Sequence, residues 1–321
     1  MKNLIELVNE KNYAEEMINI VEPYLAEIRE DGYFTTTDGK SLHFEAHTVK
    51  NAKANIVIAH GFTESAEKFR EMAYYFTNNG FNTFALDHRG HGYSYRMPGD
   101  TETVRLSRFS DYIEDLNIFL NDIVLPRGNS LPMYLFGHSM GGGIAARYIQ
   151  VYPEVFEKAI LSSPMICAQT GAPVPLAKAI MGFTSAIGLK NVSVPTMCKF
   201  NPNATYENSS DTSKARFDYY LEKKKKDPHY RTAGPAFGWV NEALKLTDHL
   251  LDDNNCKRIS ADVIIFQPEQ DAKVISSYQD VFARKLAKAK LVHIMNSKHE
   301  IFATTNDVLK GYLDTIFEFL G

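Results

Sequence analysis

Six short apolar runs, separated by helix-length segments, constrain the fold of this chain more than any other feature. Ile56-Val57-Ile58 lies within Asn55 to Ala59. Thr83 to Leu86, Met133 to Phe136, Ala159 to Leu161, Val263 to Phe266 and Leu291 to Met295 have the same character. A continuous apolar run of this length fits a strand buried on both faces. The segments between them, Glu67 to Phe76, Ser107 to Val124, Gly142 to Val151 and Ser277 to Ala287, read as helices, with a last one over Asp307 to Phe319. Strands alternating with helices at this spacing predict the α/β class, a mostly parallel, doubly wound sheet covered on both sides. Upstream, residues 3–30 read as an amphipathic helical extension, with Leu4, Val8, Met17, Ile20, Val21 and Leu25 among the apolar positions. Tyr33 to Thr37 and Leu42 to His47 then alternate as strands around Asp38-Gly39, a strong hairpin signal.

The alternation stops near residue 165 and resumes near 256. The expected organisation is an N-terminal extension over 1–30, a core over 31–164 and 256–321, and a mainly helical insertion over 165–255. The longest uncharged stretch, Ala159 to Ala177, holds Pro164, Pro173 and Pro175, unlike a membrane-spanning helix. Thirty-five basic against 39 acidic residues give a net charge of -4. The one short basic cluster, Lys223 to Lys226, reads as a solvated face rather than a nucleic-acid footprint. At most it would attract anionic lipid headgroups. Three cysteines, Cys167, Cys198 and Cys256, are too few and uneven for a disulfide framework, and the first residues lack the apolar core of a signal peptide. The expected location is the cytoplasm.

Gly137-His138-Ser139-Met140-Gly141 follows one apolar run and opens a helix. A serine between glycines at a strand-to-helix turn has the setting of a nucleophile elbow. Glycines leave room for the sharp turn, and the helix N-terminus favours developing negative charge. Serine is a weak nucleophile without an adjacent base. His293 lies inside the last apolar run, whereas His299 lies just beyond it, where catalytic groups collect in open α/β sheets. His299 is the expected base. His299-Glu300 also begins a zinc-type His-Glu-x-x-His pattern, but position 303 is alanine. The acid is expected in the loop after the preceding run, at Asp271, with Glu269 in reserve. Two backbone amides, of Met140 and Phe62, are the candidate oxyanion donors, with Gly61 permitting close approach. Asp87-His88-Arg89-Gly90-His91-Gly92 reads as a structural loop shaped by two glycines and an Asp–Arg pair, without the ligand set of a metal site.

Together, His60-Gly61-Phe62-Thr63-Glu64-Ser65, Asp87-His88-Arg89-Gly90-His91-Gly92-Tyr93-Ser94, Gly137 to Gly142, Asp271 with Val274, and His299-Glu300-Ile301 resemble the bacterial lysophospholipase and monoacylglycerol lipase branch of α/β-hydrolases. Phe109-x-Asp111-Tyr112-x-x-Asp115-Leu116 and Ser163-Pro164-Met165 look closer to the lysophospholipase side. The resemblance covers about residues 35–320. It implies the α/β-hydrolase fold with an inserted lid, cleavage of carboxylic esters through Ser139, His299 and Asp271, and no cofactor or metal. The implied partner is a small-molecule or lipid ester, with at most peripheral membrane contact. Phe62 departs from the small residue common there in monoacylglycerol lipases, leaving its backbone role intact. A small-ester carboxylesterase, a peptidase, a thioesterase and a non-catalytic binding protein on the same fold stay open as alternatives. A serine at 139 argues against epoxide hydrolases and dehalogenases, whose nucleophile on this fold is aspartate.

Overall fold

The computed structural model describes residues 6–98, 100–128, 130–195 and 199–321. Leu4, the signal-peptide reading of the first residues and Cys198 therefore lie outside the described residues. Eight strands form one sheet: β1 (Arg29–Thr35), β2 (Ser41–His47), β3 (Ala54–Ala59), β4 (Phe81–Leu86), β5 (Met133–His138), β6 (Lys158–Ser162), β7 (Asp262–Pro268) and β8 (Ala289–Ile294). Their order is β1-β2-β4-β3-β5-β6-β7-β8. The hairpin β1–β2 is antiparallel and joins β4 antiparallel; every pairing from β4 to β8 is parallel. Strands β3, β4 and β5 are buried at every position, in keeping with the apolar runs they carry.

The chain leaves β3 toward β4, then crosses back to place β5 on the other side of β3. The loops after β3 and β5 therefore diverge over neighbouring strand ends, the position where open α/β sheets hold ligands. One face of the sheet, through Val57, Leu135, Leu161 and Ile265, packs on the helices Ser110–Phe119, Met140–Val151 and Phe237–Leu251. The opposite face, through Ile58, Phe136, Ile160 and Phe266, packs on Arg70–Asn78 and Asn306–Leu320 and on the N-terminal helical stretch. That stretch buries Tyr13, Met17, Val21 and Leu25 against the sheet. It ends at Ile28, and β1 begins at Arg29, slightly before the expected boundary.

Two helical stretches contain a π turn just before a proline: Met17–Val21 before Pro23, and Leu120–Val124 before Pro126. Proline has no N–H to continue the i→i−4 ladder and crowds the preceding turn, so a widened turn lets each helix run on.

The segment expected as one insertion divides in two. Phe237–Leu251 belongs to the main core, with Trp239, Ala243, Leu246 and Leu250 buried beside the Met140–Val151 helix. Val174–Ala186 lies outside, and buries only Ala177. Lys214–Lys226 is capped by Ser213, whose Oγ accepts from the Arg216 amide at 3.4 Å. Its basic end is only in part the solvated face expected from sequence: Lys226 is exposed and Lys225 pairs with the exposed Glu222. Lys223 pairs with Glu22 and Glu67, and the Lys224 ammonium donates to the Thr63 carbonyl at 3.0 Å. Cys167 and Cys256 are buried free thiols. Among the described residues no helix is long and apolar enough to cross a membrane.

Candidate active site

Strand β5 runs into Ser139, whose backbone lies at φ 51 and ψ -117, and the helix begins at Met140. A side chain at positive φ costs ~1–3 kcal/mol and persists only where the surroundings over-determine it. Here the Ser139 amide donates to the Ser162 carbonyl at 3.0 Å. Its own carbonyl accepts from Gly143 and Met165 at 3.0 and 2.8 Å. The flanking glycines are there because space is absent. A Cβ at Gly137 would stand 2.6 Å from the Gly141 carbonyl oxygen, and one at Gly141 would collide with the Ala59 carbonyl. The turn therefore brings the helix start directly over the end of β3.

His299 lies on the loop after β8, 5% exposed. Its Nε2 is 2.8 Å from Ser139 Oγ, and its Nδ1 is 2.8 Å from Asp271 Oδ2. A carboxylate only accepts, so in the neutral ring Nδ1 carries the proton and Nε2 faces the serine hydroxyl as acceptor. Asp271 is fixed in turn: Oδ1 accepts from the amides of Lys273 and Val274 at 2.8 and 3.0 Å. Of the two carboxylates expected in this loop, Asp271 reaches His299. Glu269 instead accepts from the Asn296 amide at 2.7 Å. His293 is exposed on β8. The Ser163 hydroxyl donates to the His299 carbonyl at 2.7 Å, tying the histidine loop to the end of β6.

Met140 is the first residue of its helix, where amides lack intrahelical acceptors. The second candidate donor depends on His60. The His88 amide donates to His60 Nε2 at 2.9 Å, which leaves the ring proton on Nδ1, 2.7 Å from the Gly61 carbonyl. Because a trans peptide directs its C=O and N–H to opposite sides, holding the Gly61 carbonyl also aims the Phe62 amide. Burial pushes His60 down to about 4, so the ring stays neutral at pH 7. The Phe62 ring packs on Trp239, with centroids 4.4 Å apart.

A charged cluster that sequence reasoning missed backs the histidine loop. Lys68 pairs with Glu64 at 3.2 Å and with Glu300, the residue after His299. Burial opposes ionisation of Glu300, but Lys68 outweighs it and holds the carboxyl well below the usual range. Asp211, brought in by the insertion, is pushed well above the usual range by burial and by Glu300. The only local signal was the adjacency of Glu300 to His299; the partners lie far apart in sequence.

The loop after β4 is structural but wired differently from expectation. Asp87 accepts from the Ala66 and Tyr93 amides at 2.7 and 2.9 Å and contacts His43 Nδ1 at 3.0 Å. Arg89 forms a bidentate pair with Asp115, both contacts 2.6 Å, rather than with Asp87. The His60 ring lies close to His88, tilted at 55°, and to His91, edge-on at 61°, but among the described residues no group of three or more His, Cys, Asp or Glu side chains is placed to hold a metal ion.

Residues 50–306 match the family described as Serine aminopeptidase, S33. Lysophospholipase L2 of Escherichia coli K12 is 27% identical over 305 residues, covering 91% of this chain and 88% of that protein. The monoacylglycerol lipase of Mycolicibacterium smegmatis is 33% identical over 147 residues, 45% of this chain and 50% of that one. In three dimensions, a soluble variant of monoglyceride lipase from Saccharomyces cerevisiae superposes with a TM-score of 0.73 at 20% identity, covering 91% and 95% of the two chains. With that sheet, that elbow and a family match over most of its length, the chain belongs to the serine aminopeptidase S33 family and is a serine hydrolase of the α/β-hydrolase fold.

Proposed function

We propose that this hydrolase cleaves carboxylic esters of lipid alcohols, lysophospholipids or monoacylglycerols, through an acyl-enzyme on Ser139. The observation that carries the reading is His299, bridging the Ser139 hydroxyl and the Asp271 carboxylate at 2.8 Å on each side. Ser139 Oγ attacks the ester carbonyl carbon while its proton passes to His299 Nε2. Asp271 stays ionised, holds the ring tautomer and stabilises the imidazolium. The amides of Phe62 and Met140 take up the oxyanion, where one such donor is worth about 10²–10³ in rate. Collapse of the tetrahedral intermediate breaks the ester C–O bond, and the His299 proton goes to the leaving alkoxide. Water, deprotonated by His299, then releases the acid and restores Ser139.

The lipid assignment draws on the relatives' names and on one surface. Leu176, Ile180, Phe183, Ile187, Leu189 and Val192 are exposed on and after the Val174–Ala186 helix. The nearby Lys178 is paired with Asp248 at 2.5 Å. An apolar face of this kind suits peripheral contact with a lipid aggregate, and residues 165–236 act as the lid over the site. The family description favours a second reading, an aminopeptidase. That activity needs a carboxylate free to anchor the substrate amine, whereas Glu64 and Glu300 are already paired with Lys68. The test is hydrolysis of monoacylglycerol, lysophosphatidylcholine, short p-nitrophenyl esters and aminoacyl amides by the native protein and Ser139→Ala. Serine-dependent turnover of the long-chain lipids is expected. Turnover confined to the aminoacyl amides would overturn the assignment.

A further inference from the structure

A cavity of about 270 Å³ lies among the loops that follow β3, β7 and β8. The three loops that carry the site border it, through Thr63 after Phe62, Lys273 close to Asp271, and Glu300 after His299. Residues of the insertion, between Lys199 and Ala233, line most of the rest. Its ionisable lining is unequal: Lys68, Lys199, Lys224 and Lys273 against Asp211 and Glu300.

The two carboxyls do not balance the lysines. Glu300 is already paired with Lys68. Asp211 is shifted well above the usual carboxyl range by burial and by Glu300, which disfavours its charged form. Lys199, Lys224 and Lys273 remain, with no carboxylate paired to any of them among the described residues. Lys224 is the inner one: its ammonium donates to the Thr63 carbonyl at 3.0 Å and lies 5.0 Å from the centre of the Tyr220 ring. Burial, then repulsion from Lys68, draws Lys224 down to about 8. An ammonium so destabilised gains most from an anion brought beside it. Ser209, Ser210 and Asn208 add neutral polar groups to the lining.

In the reaction above, His299 gives its proton to the leaving oxygen, so the leaving alcohol sits on the His299 side of Ser139. Glu300 borders the cavity on that side. We propose that this cavity binds the phosphate group of a phosphorylated leaving alcohol, with Lys224 as the inner cation and Lys199 and Lys273 at the rim. A water takes up ~30 Å³ of liquid, so a glycerophosphate fits within the space. The assignment to a leaving group rests on the ester-hydrolase reading; the binding of phosphate does not.

Two measurements test it. Calorimetric titration of the Ser139→Ala protein with glycerol 3-phosphate, inorganic phosphate and glycerol reads the cavity without turnover. Glycerol 3-phosphate is expected to bind most tightly, and Lys224→Met to weaken it about tenfold or more, the scale of a hydrogen bond to a charged group. The paired change Lys199→Gln and Lys273→Gln, at exposed positions, is expected to weaken it severalfold and does not put folding at risk. Glycerol binding as tightly as glycerol 3-phosphate, or affinity unmoved by either variant, would overturn the proposal. In parallel, kcat/KM is compared for lysophosphatidic acid and a monoacylglycerol of the same acyl chain. The ratio is expected to favour the phosphorylated substrate and to fall in both variants. Inorganic phosphate binding as tightly as glycerol 3-phosphate, with an unchanged substrate ratio, would mark a free-anion site and overturn the leaving-group assignment. If neither lipid is turned over, the ester reading fails and calorimetry still decides the cavity.

Discussion

Replacing Arg216 by methionine is expected to destabilise the protein by about 3–5 kcal/mol, the cost of breaking a buried ion pair from one side. Arg216 is 4% exposed and Glu71 6%. The guanidinium gives Glu71 two hydrogen bonds, at 2.9 and 2.6 Å, and reaches the Thr304 carbonyl and the Asn306 side chain at 2.9 Å each. The Tyr13 and Tyr75 hydroxyls donate to the same carboxylate. Methionine fills much of the volume but leaves Glu71 charged and buried without a cation. Unfolding entropy near 2.1 cal/mol/K per residue gives about 0.7 kcal/mol/K for a chain of this length, so Tm should fall by ~4–7 °C. The deficit should also shrink as pH falls from 7 toward 5. An unpaired buried carboxyl has a raised pKa, so the folded variant takes up a proton before the unfolded chain does and gains stability there. Converting Glu71 to glutamine as well should recover part of the loss, since a neutral side chain costs less to bury. Thermal melts of the native protein and the three variants across that pH range are the assay. A Tm shift under about 1.5 °C for Arg216→Met, or a deficit that grows in acid, would refute the reasoning.

Steady-state kinetics should show Asp271→Asn lowering kcat by about 10³–10⁴, through loss of the correct tautomer, while Glu269→Gln leaves it within about twofold. His60→Phe frees the Gly61 carbonyl, so kcat should drop about 10²-fold with KM little changed; an equal rise in KM would instead indicate a distorted binding surface. Glu45 is buried, yet Arg70 outweighs that burial and holds the carboxyl at about 2 instead of 4.5. Its contribution is therefore present above pH 4.5 and lost between pH 4.5 and 2. The stability advantage of the native protein over Glu45→Gln, at most ~3 kcal/mol by urea unfolding, should disappear across that window.

The central strands were legible because burial on both faces removes the polar positions that blur a half-buried strand. Ile56-Val57-Ile58 needed no partner to be read. The elbow was legible for the same local reason, since its glycines answer to contacts made within one turn and one neighbouring strand. His299 and Asp271 required only the order of strands along the chain. Pairings across the fold left no such mark. Arg89 stands two residues from Asp87 in sequence, but takes Asp115, 26 residues away in the chain and adjacent in space. The same holds for Lys223 and Lys224, read as solvated and turned inward by Glu22, Glu67 and Thr63. Trp239, Ala243, Leu246 and Leu250 did carry a helical period. No strand-like apolar run precedes them in the sequence, which hid that their helix packs in the core.

The left-handed backbone at Ser139 bears on what substitution at that position can do. Glycine adopts φ 51 and ψ -117 at little cost, whereas a β-branched side chain is penalised there. A change to threonine keeps the hydroxyl and adds only a methyl, yet the backbone resists it. Ser139→Gly removes the hydroxyl and relieves the turn, so the inactive protein should melt higher than Ser139→Ala, by the ~1–3 kcal/mol stored at such a residue. On the proposed role of Ser139 as nucleophile, selection for stability alone would drift this position toward silence, and the demand for turnover opposes that drift.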